Sequence, residues 1–269
     1  MASATDDRAR NHVQEKLRRD ELVTSMIVRL VRSIEIVRLA KTAGFDTIYV
    51  DLEHNSFSLE TTGQICLAAL ATGVTPFVRV PAVEPQFVSR LLDAGALGVI
   101  APHVNSAQEA GEIVRWAKYP PRGERSVAGL LPQLGYRALP MAETQGILDG
   151  LTTVVAMVET AAAVERADEI AAVEGVDMLL IGAGDLSTDL GVPGQADHPR
   201  MDDAHRRVIE ACRKRGKHAG LGGLAARPDL IARYVGLGAR YVSAGSDLDL
   251  LMKAATERAA MVAAIPRQG

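Results

Sequence analysis

A few short stretches carry the side chains that could do chemistry. "YVDLEH" (49–54) runs from the strand-forming Tyr49 and Val50 into Asp51, Glu53 and His54, which are poor core material. "FVRVP" places Arg79 in an otherwise apolar strand. A cation there needs an anionic partner, either a bound ligand or a buried carboxylate. His103 closes "LGVIAPHV", Glu159 closes "TVVAMVE", and Asp185 follows "DMLLIG". Glu159 and Asp185 could converge as oxygen ligands of a hard divalent ion such as Mg²⁺ or Mn²⁺, with water in the other positions. Each could equally cap a helix N-terminus. His54 and His103 read as catalytic or as satisfied structural histidines, and His198 and His205 as surface residues at a helix start. None of the six lysines (Lys16, Lys41, Lys118, Lys214, Lys217, Lys253) lies at the C-terminal end of an expected strand. That argues against Schiff-base chemistry.

The elements that must position these groups alternate. Strands are expected at 24–31, 47–52, 75–81, 97–104, 153–159, 177–182, 218–223 and 240–246, each followed by a helical pattern such as "PQFVSRLLDAG" (85–95). Glycine closes the helices in "AGFD" and "GLGAR". Eight strand–helix units imply a single-domain (β/α)8 TIM barrel over residues 22–269, with active groups at the C-terminal strand ends. An open doubly wound sheet is the alternative, but no GxGxxG follows the first strand. Residues 1–21 are dense in charge and read as a solvated arm or helix. The interruption at 126–151 is expected at the barrel mouth or a subunit contact.

Composition narrows the partners. The 269 residues are 48% apolar with net charge −3 and a pI near 6.1, which points to neither a nucleic-acid nor a membrane partner. No apolar run approaches a membrane span, so a cytoplasmic protein is expected, with Cys66 and Cys212 as reduced core thiols.

In this order, "AGFDTIYVDLEH", "FVRVP", "LLDAG", "YPPRGERSV", "VETAAAVERADEIAAVEGVDMLLIGAGDLSTDLG" and "HPRM" resemble the HpcH/HpaI family of metal-dependent class II pyruvate aldolases. The resemblance spans about residues 22–262. It implies a TIM barrel, commonly hexameric, whose last helix is exchanged between neighbours. It implies reversible cleavage of a 4-hydroxy-2-oxo acid to pyruvate and an aldehyde through a metal-bound enolate, with Mg²⁺, Mn²⁺ or Co²⁺. By the same resemblance His54 is the base, Arg79 stabilises the enolate, and Asp93 raises the basicity of the histidine. Glu159 and Asp185 ligate the metal, Asp51 and Glu53 hold its water, and backbone N–H groups at Asp185, Leu186 and Ser187 hold the substrate carboxylate.

Four departures bear on substrate choice. Met157 stands where the family has Gln, "GAGD" brings Ala183 and Gly184 in place of Pro and Ala, Val28 replaces an aromatic, and Gly222 replaces Leu. Val28 and Gly222 read as opening room beside the donor carbon. Alternation puts Val28, Leu30 and Arg32 on one face, where Arg32 could hold an anionic tail or remain a solvated loop residue. Competing readings are an oxaloacetate-type decarboxylase, an acyl-CoA lyase, or a phosphate-binding barrel isomerase suggested by "GLGG" and "SAGSD".

Overall fold

The computed structural model describes residues 9–266. Eight parallel strands hydrogen-bond in chain order: β1 (Val23–Val28), β2 (Thr47–Asp51), β3 (Thr75–Arg79), β4 (Gly98–Ala101), β5 (Thr153–Val158), β6 (Met178–Gly182), β7 (His218–Gly222) and β8 (Ala239–Ser246). β8 closes on β1, so the sheet is a barrel and the open alternative is excluded. Among the described residues, no helix is long and apolar enough to cross a membrane.

Strand alternation sorts the side chains. Tyr49, Phe77, Val155, Met157, Leu180 and Tyr241 fill the barrel interior, with Ile27 partly buried against them. Val28, Val50, Val78, Val158 and Ile181 face outward into the larger core beneath the helices. This parity corrects the reading of the first strand. Val28 is fully buried on the helix side, so it opens no space at the mouth. The inward position above Ile27 belongs to Arg29. The reason is that β1 stops at Val28. The N–H groups of Arg29, Leu30 and Val31 then turn onto the Asp247 carboxylate at 2.8, 3.1 and 2.8 Å.

The N-terminal segment forms a helix, one of the two expected forms, but a packed rather than a solvated one; residues 1–8 lie outside the described residues. Helix His12–Arg18 buries Val13 and Leu17 in the interior cluster, while Lys16 on its other side reaches Asp46. Asn11 donates to the carbonyls of Leu97 and Leu151, which lie just before β4 and β5. The segment therefore closes the N-terminal end of the barrel. The interruption 126–151 folds as a 3-10 turn (Pro132–Leu134) and a helix (Met141–Leu151). Gln133 donates to the carbonyls of Leu92 and Ala96, ahead of β4, so that turn packs at the foot of the barrel rather than the mouth. His205 is not a surface residue. It is buried in helix Pro199–Lys214, one turn from Met201 on the buried face, and stacks on Tyr234 with centroids 4.3 Å apart.

Candidate active site

The C-terminal ends of β1 to β6 bring the charged residues together. Asp51 and Arg79 are register partners on β2 and β3 and succeed the inward-facing Tyr49 and Phe77. Both carboxylate oxygens of Asp51 are engaged by Arg79, from Nε at 2.9 Å and Nη2 at 2.6 Å. Asp51 is fully buried and also accepts N–H bonds from Glu53 at 3.1 Å and His54 at 3.4 Å, and one from Asn55 Nδ2 at 3.1 Å. Burial alone would raise its pKa, but the Arg79 hydrogen bonds and charge pull it below the usual carboxylate value. Asp51 thus fixes Arg79 and shapes the turn that carries Glu53 and His54.

Glu53 is the hub of the next layer. Its Oε2 lies 2.8 Å from Arg79 Nη1 and 3.6 Å from His54 Nε2, and its Oε1 lies 2.9 Å from His103 Nε2. Oε2 is nevertheless a buried acceptor without an aligned hydrogen bond. His103 reaches the other side of the mouth: its N–H donates to Glu159 Oε2 at 2.9 Å, and its Nδ1 lies 3.4 Å from the same oxygen. The backbone of His103 has φ +54°, a left-handed conformation uncommon for a residue with a side chain. That bend turns the imidazole across the mouth between Glu53 and Glu159. His54 itself is half-exposed.

Glu159 and Asp185 do not cap helices. Thr160 caps helix Ala161–Glu165, and helix Ala183–Asp189 starts at Gly182 with no side-chain cap. Glu159 is 2% exposed. Burial raises its pKa, the His103 N–H opposes this, and the Glu53 and Asp185 carboxylates raise it further. The structure makes room for this carboxylate, because a Cβ on Gly182 would collide with it. Crowded, under-satisfied carboxylates of this kind are the donor set a hard divalent ion takes, so the residues fit one. Among the described residues no three His, Cys, Asp or Glu side chains form a ready-made ligand cluster.

The other expected residues divide. Met157 lies inward, two residues below Glu159, as apolar floor. Gly222 is the register partner of Gly182, and the two leave the adjoining rim without side chains. Gly184 and Asp185 are exposed in the first turn of Ala183–Asp189. Leu186 is core instead, and Ser187 is buried, its hydroxyl donating to the Gly184 carbonyl and accepting from the Gly194 N–H. Arg32 donates to the Ser56 carbonyl and hydroxyl and lies over the Phe57 ring. Asp93 does not meet His54 within the chain. It ends helix Pro85–Asp93, which runs back from the mouth toward the foot of β4, and there it accepts from Arg125 at 2.7 Å. The acid beside His54 is Glu53.

Residues 24–254 match the model of the HpcH/HpaI aldolase/citrate lyase family. The chain belongs to that family. It is 42% identical over 258 residues to a 4-hydroxy-4-methyl-2-oxoglutarate aldolase of Hapsidospora irregularis, covering 95% of this chain and 96% of the relative. It is 38% identical over 260 residues to an aldolase of the same description from Chaetomium globosum, covering 96% and 97%. The HpcH/HpaI aldolase structure from Desulfitobacterium hafniense superposes with TM-score 0.90 at 33% identity, covering 94% of this chain and 97% of that one.

Within this family framework, two site residues escaped the sequence reading. Arg29 sits 3.5 Å from Asp51 through its Nε. Asp247 holds the backbone that carries it. The two-residue spacing Ile27–Arg29, in step with Tyr49–Asp51 and Phe77–Arg79, was the available signal for Arg29. Asp247 ends the "SAGSD" stretch, which suggested a phosphate site rather than a backbone anchor.

Proposed function

We propose that the protein reversibly cleaves a 4-hydroxy-2-oxo acid into pyruvate and a second carbonyl compound, using a divalent ion, Mg²⁺, Mn²⁺ or Co²⁺, held by Glu159 and Asp185. The observation that carries this reading is Glu159, a buried carboxylate facing the carboxylates of Glu53 and Asp185 at a barrel mouth. When bound, the ion supplies a Lewis acid for the 2-oxo group. His54 takes the proton of the 4-hydroxyl. The C3–C4 bond breaks, its electrons leave the three-carbon half as the pyruvate enolate, and the 4-carbon becomes the second carbonyl. Arg79, locked by Asp51, donates to the oxygen on which charge develops without having to reorganise. His54 then returns the proton to C3, so atoms and charge balance. Glu53, between His54 and His103, holds the water layer and orients both imidazoles. First-turn N–H groups of Ala183–Asp189 face the substrate carboxylate. Gly182 and Gly222 leave room for the donor methyl group and for larger donors.

We further read the protein as a cytoplasmic homo-oligomer, most simply a hexamer. Every described residue from Leu248 to Pro266 is exposed, including Leu250, Leu251, Met252 and Met261. An isolated helix with that much apolar surface is not stable uncovered. Both thiols, Cys66 and Cys212, are free and buried.

The test is pyruvate release from a panel of 4-hydroxy-2-oxo acids, starting with 4-hydroxy-4-methyl-2-oxoglutarate, with and without chelator. Release that disappears on chelation and returns with Mg²⁺, Mn²⁺ or Co²⁺ is expected. Full activity after exhaustive metal removal, or a borohydride-trapped adduct with pyruvate, would refute it.

A further inference from the structure

We propose that Arg29 is a second anion-binding group of this site, receiving a carboxylate on the half of the substrate that becomes the second carbonyl product. The inference rests on the aldolase reading and narrows it: the preferred substrates are 4-hydroxy-2-oxo acids with a second carboxylate at the far end.

Three observations carry it. The first is direction. Ile27 packs against the barrel interior, and Arg29, the first residue past β1, turns its Nε toward Asp51 on β2 at 3.5 Å. In an eight-strand barrel, β1 lies opposite β5, the strand that delivers Glu159. A substrate whose 2-oxo acid end lies at Glu159 therefore points its other end toward β1.

The second is an unmet bond. Arg29 Nε is buried and has no hydrogen-bond partner among the described residues. Its nearest carboxylate, Asp51, is 3.5 Å away. That carboxylate already accepts two bonds from Arg79, one from Asn55 and the N–H groups of Glu53 and His54. Asp51 has no lone pair left to draw Arg29 in. Arg79 has its charge balanced by Asp51 and Glu53 and gives its remaining N–H groups to the reacting oxygen, and Arg32 is engaged by Ser56 and Phe57. Arg29 is left with one loose ion pair to Asp51 and no hydrogen bond at Nε, its side chain 34% exposed. A planar fork of this kind suits a carboxylate.

The third is rigidity. The carboxylate of Asp247, 6% exposed, accepts the successive N–H groups of Arg29, Leu30 and Val31 and that of Leu248. A loop that only linked β1 to the next helix would not need so many bonds to one acid. Here they fix the backbone from which the guanidinium projects, which lowers the ordering cost of binding an anion.

The alternative role, screening of Asp51, predicts a different pattern, and kinetics separates the two. Wild type, Arg29→Gln and Arg29→Lys are compared on 4-hydroxy-4-methyl-2-oxoglutarate, with its second carboxylate, and on 4-hydroxy-2-oxopentanoate, with an uncharged end. For Arg29→Gln, KM for the diacid should rise about 10- to 100-fold, the loss of a charge-assisted hydrogen bond, with kcat little changed. KM for the uncharged substrate should stay within about twofold. Arg29→Lys keeps the charge but not the fork and should fall between. If Arg29→Gln changes both substrates alike, Arg29 acts through Asp51 and the inference is wrong, while the aldolase reading stands. A wild type that cleaves neither substrate overturns the aldolase reading and this inference with it.

Discussion

Removing Arg79 should cost the protein both its catalyst and a buried ion pair, and the two losses can be measured separately. Arg79→Ala leaves Asp51 fully buried without the two bonds at 2.9 and 2.6 Å that neutralise it. Breaking a buried pair from one side costs about 3–5 kcal/mol. Asp51 keeps bonds from the Glu53 N–H and from Asn55, so the lower end, about 3 kcal/mol, is expected. For a domain of this size that is a fall of roughly 6–12 °C in Tm. Asp51→Asn should also destabilise, and the double variant Arg79→Met/Asp51→Asn should lose less than the sum of the single changes. Turnover of Arg79→Ala, assayed well below its Tm, should drop by about 10²-fold or more.

Acidification gives an independent arm of the same experiment. The pKa of Asp51 is held below that of the unfolded chain. Its stabilising contribution is therefore fully present above the unfolded value of about 3.9 and is lost as pH falls through the lower folded one. The stability lead of wild type over Asp51→Asn should stay level from pH 8 to 5 and close only below about 4. Additive single changes, or a Tm shift under about 2 °C for Arg79→Ala, would show that the pair is not coupled and that the structural half of the argument fails.

Other consequences are open to direct measurement. Gly182→Ala should push the Glu159 carboxylate out of place and weaken Mn²⁺ binding, followed by electron paramagnetic resonance, about 10-fold or more; unchanged affinity would separate Glu159 from the metal. Burial holds the His205 imidazole below its ordinary pKa, against the opposing bond to the Met201 carbonyl. The unfolded chain then takes up that proton first, so stability is present above about pH 6.5 and falls as pH drops below it. His205→Phe should flatten the Tm loss between pH 7.5 and 5.5, and an unchanged slope would remove His205 from the account.

What the sequence disclosed follows from the range over which each feature is decided. Asp51, Glu53, His54, Arg79 and Glu159 were legible because an ionisable residue ending an apolar strand has few explanations other than a barrel mouth. The barrel itself was legible because eight strand–helix units recur with glycine at the helix ends. Arg29 was missed for a non-local reason. The length of β1 is set by Asp247, 218 residues away, whose carboxylate pulls the chain out of the sheet after Val28. Reading residues 24–31 as one strand and carrying its alternation on to Arg32 chose the wrong parity. Asp93, which ends a helix after β3, lies at the foot of the barrel in its own chain, and the alternation of strand and helix already contained that direction.

The charges at the mouth follow the same logic from sequence to chemistry. Asp51, Glu53, Glu159 and Asp185 stand against the two guanidiniums Arg29 and Arg79, and Arg79 is committed to Asp51 and Glu53. The acids that remain lie just past β5 and β6, and the cation with only a loose partner lies just past β1. Surplus acid on one side and a loosely paired guanidinium opposite suit two different charges at once. The acid side attracts a cation, and the β1 side attracts an anion. A diacid would satisfy both requirements; a monoacid would leave Arg29 with only its loose pair to Asp51. Between substrates of equal chain length, the diacid should therefore hold its advantage over the monoacid only while Arg29 is present.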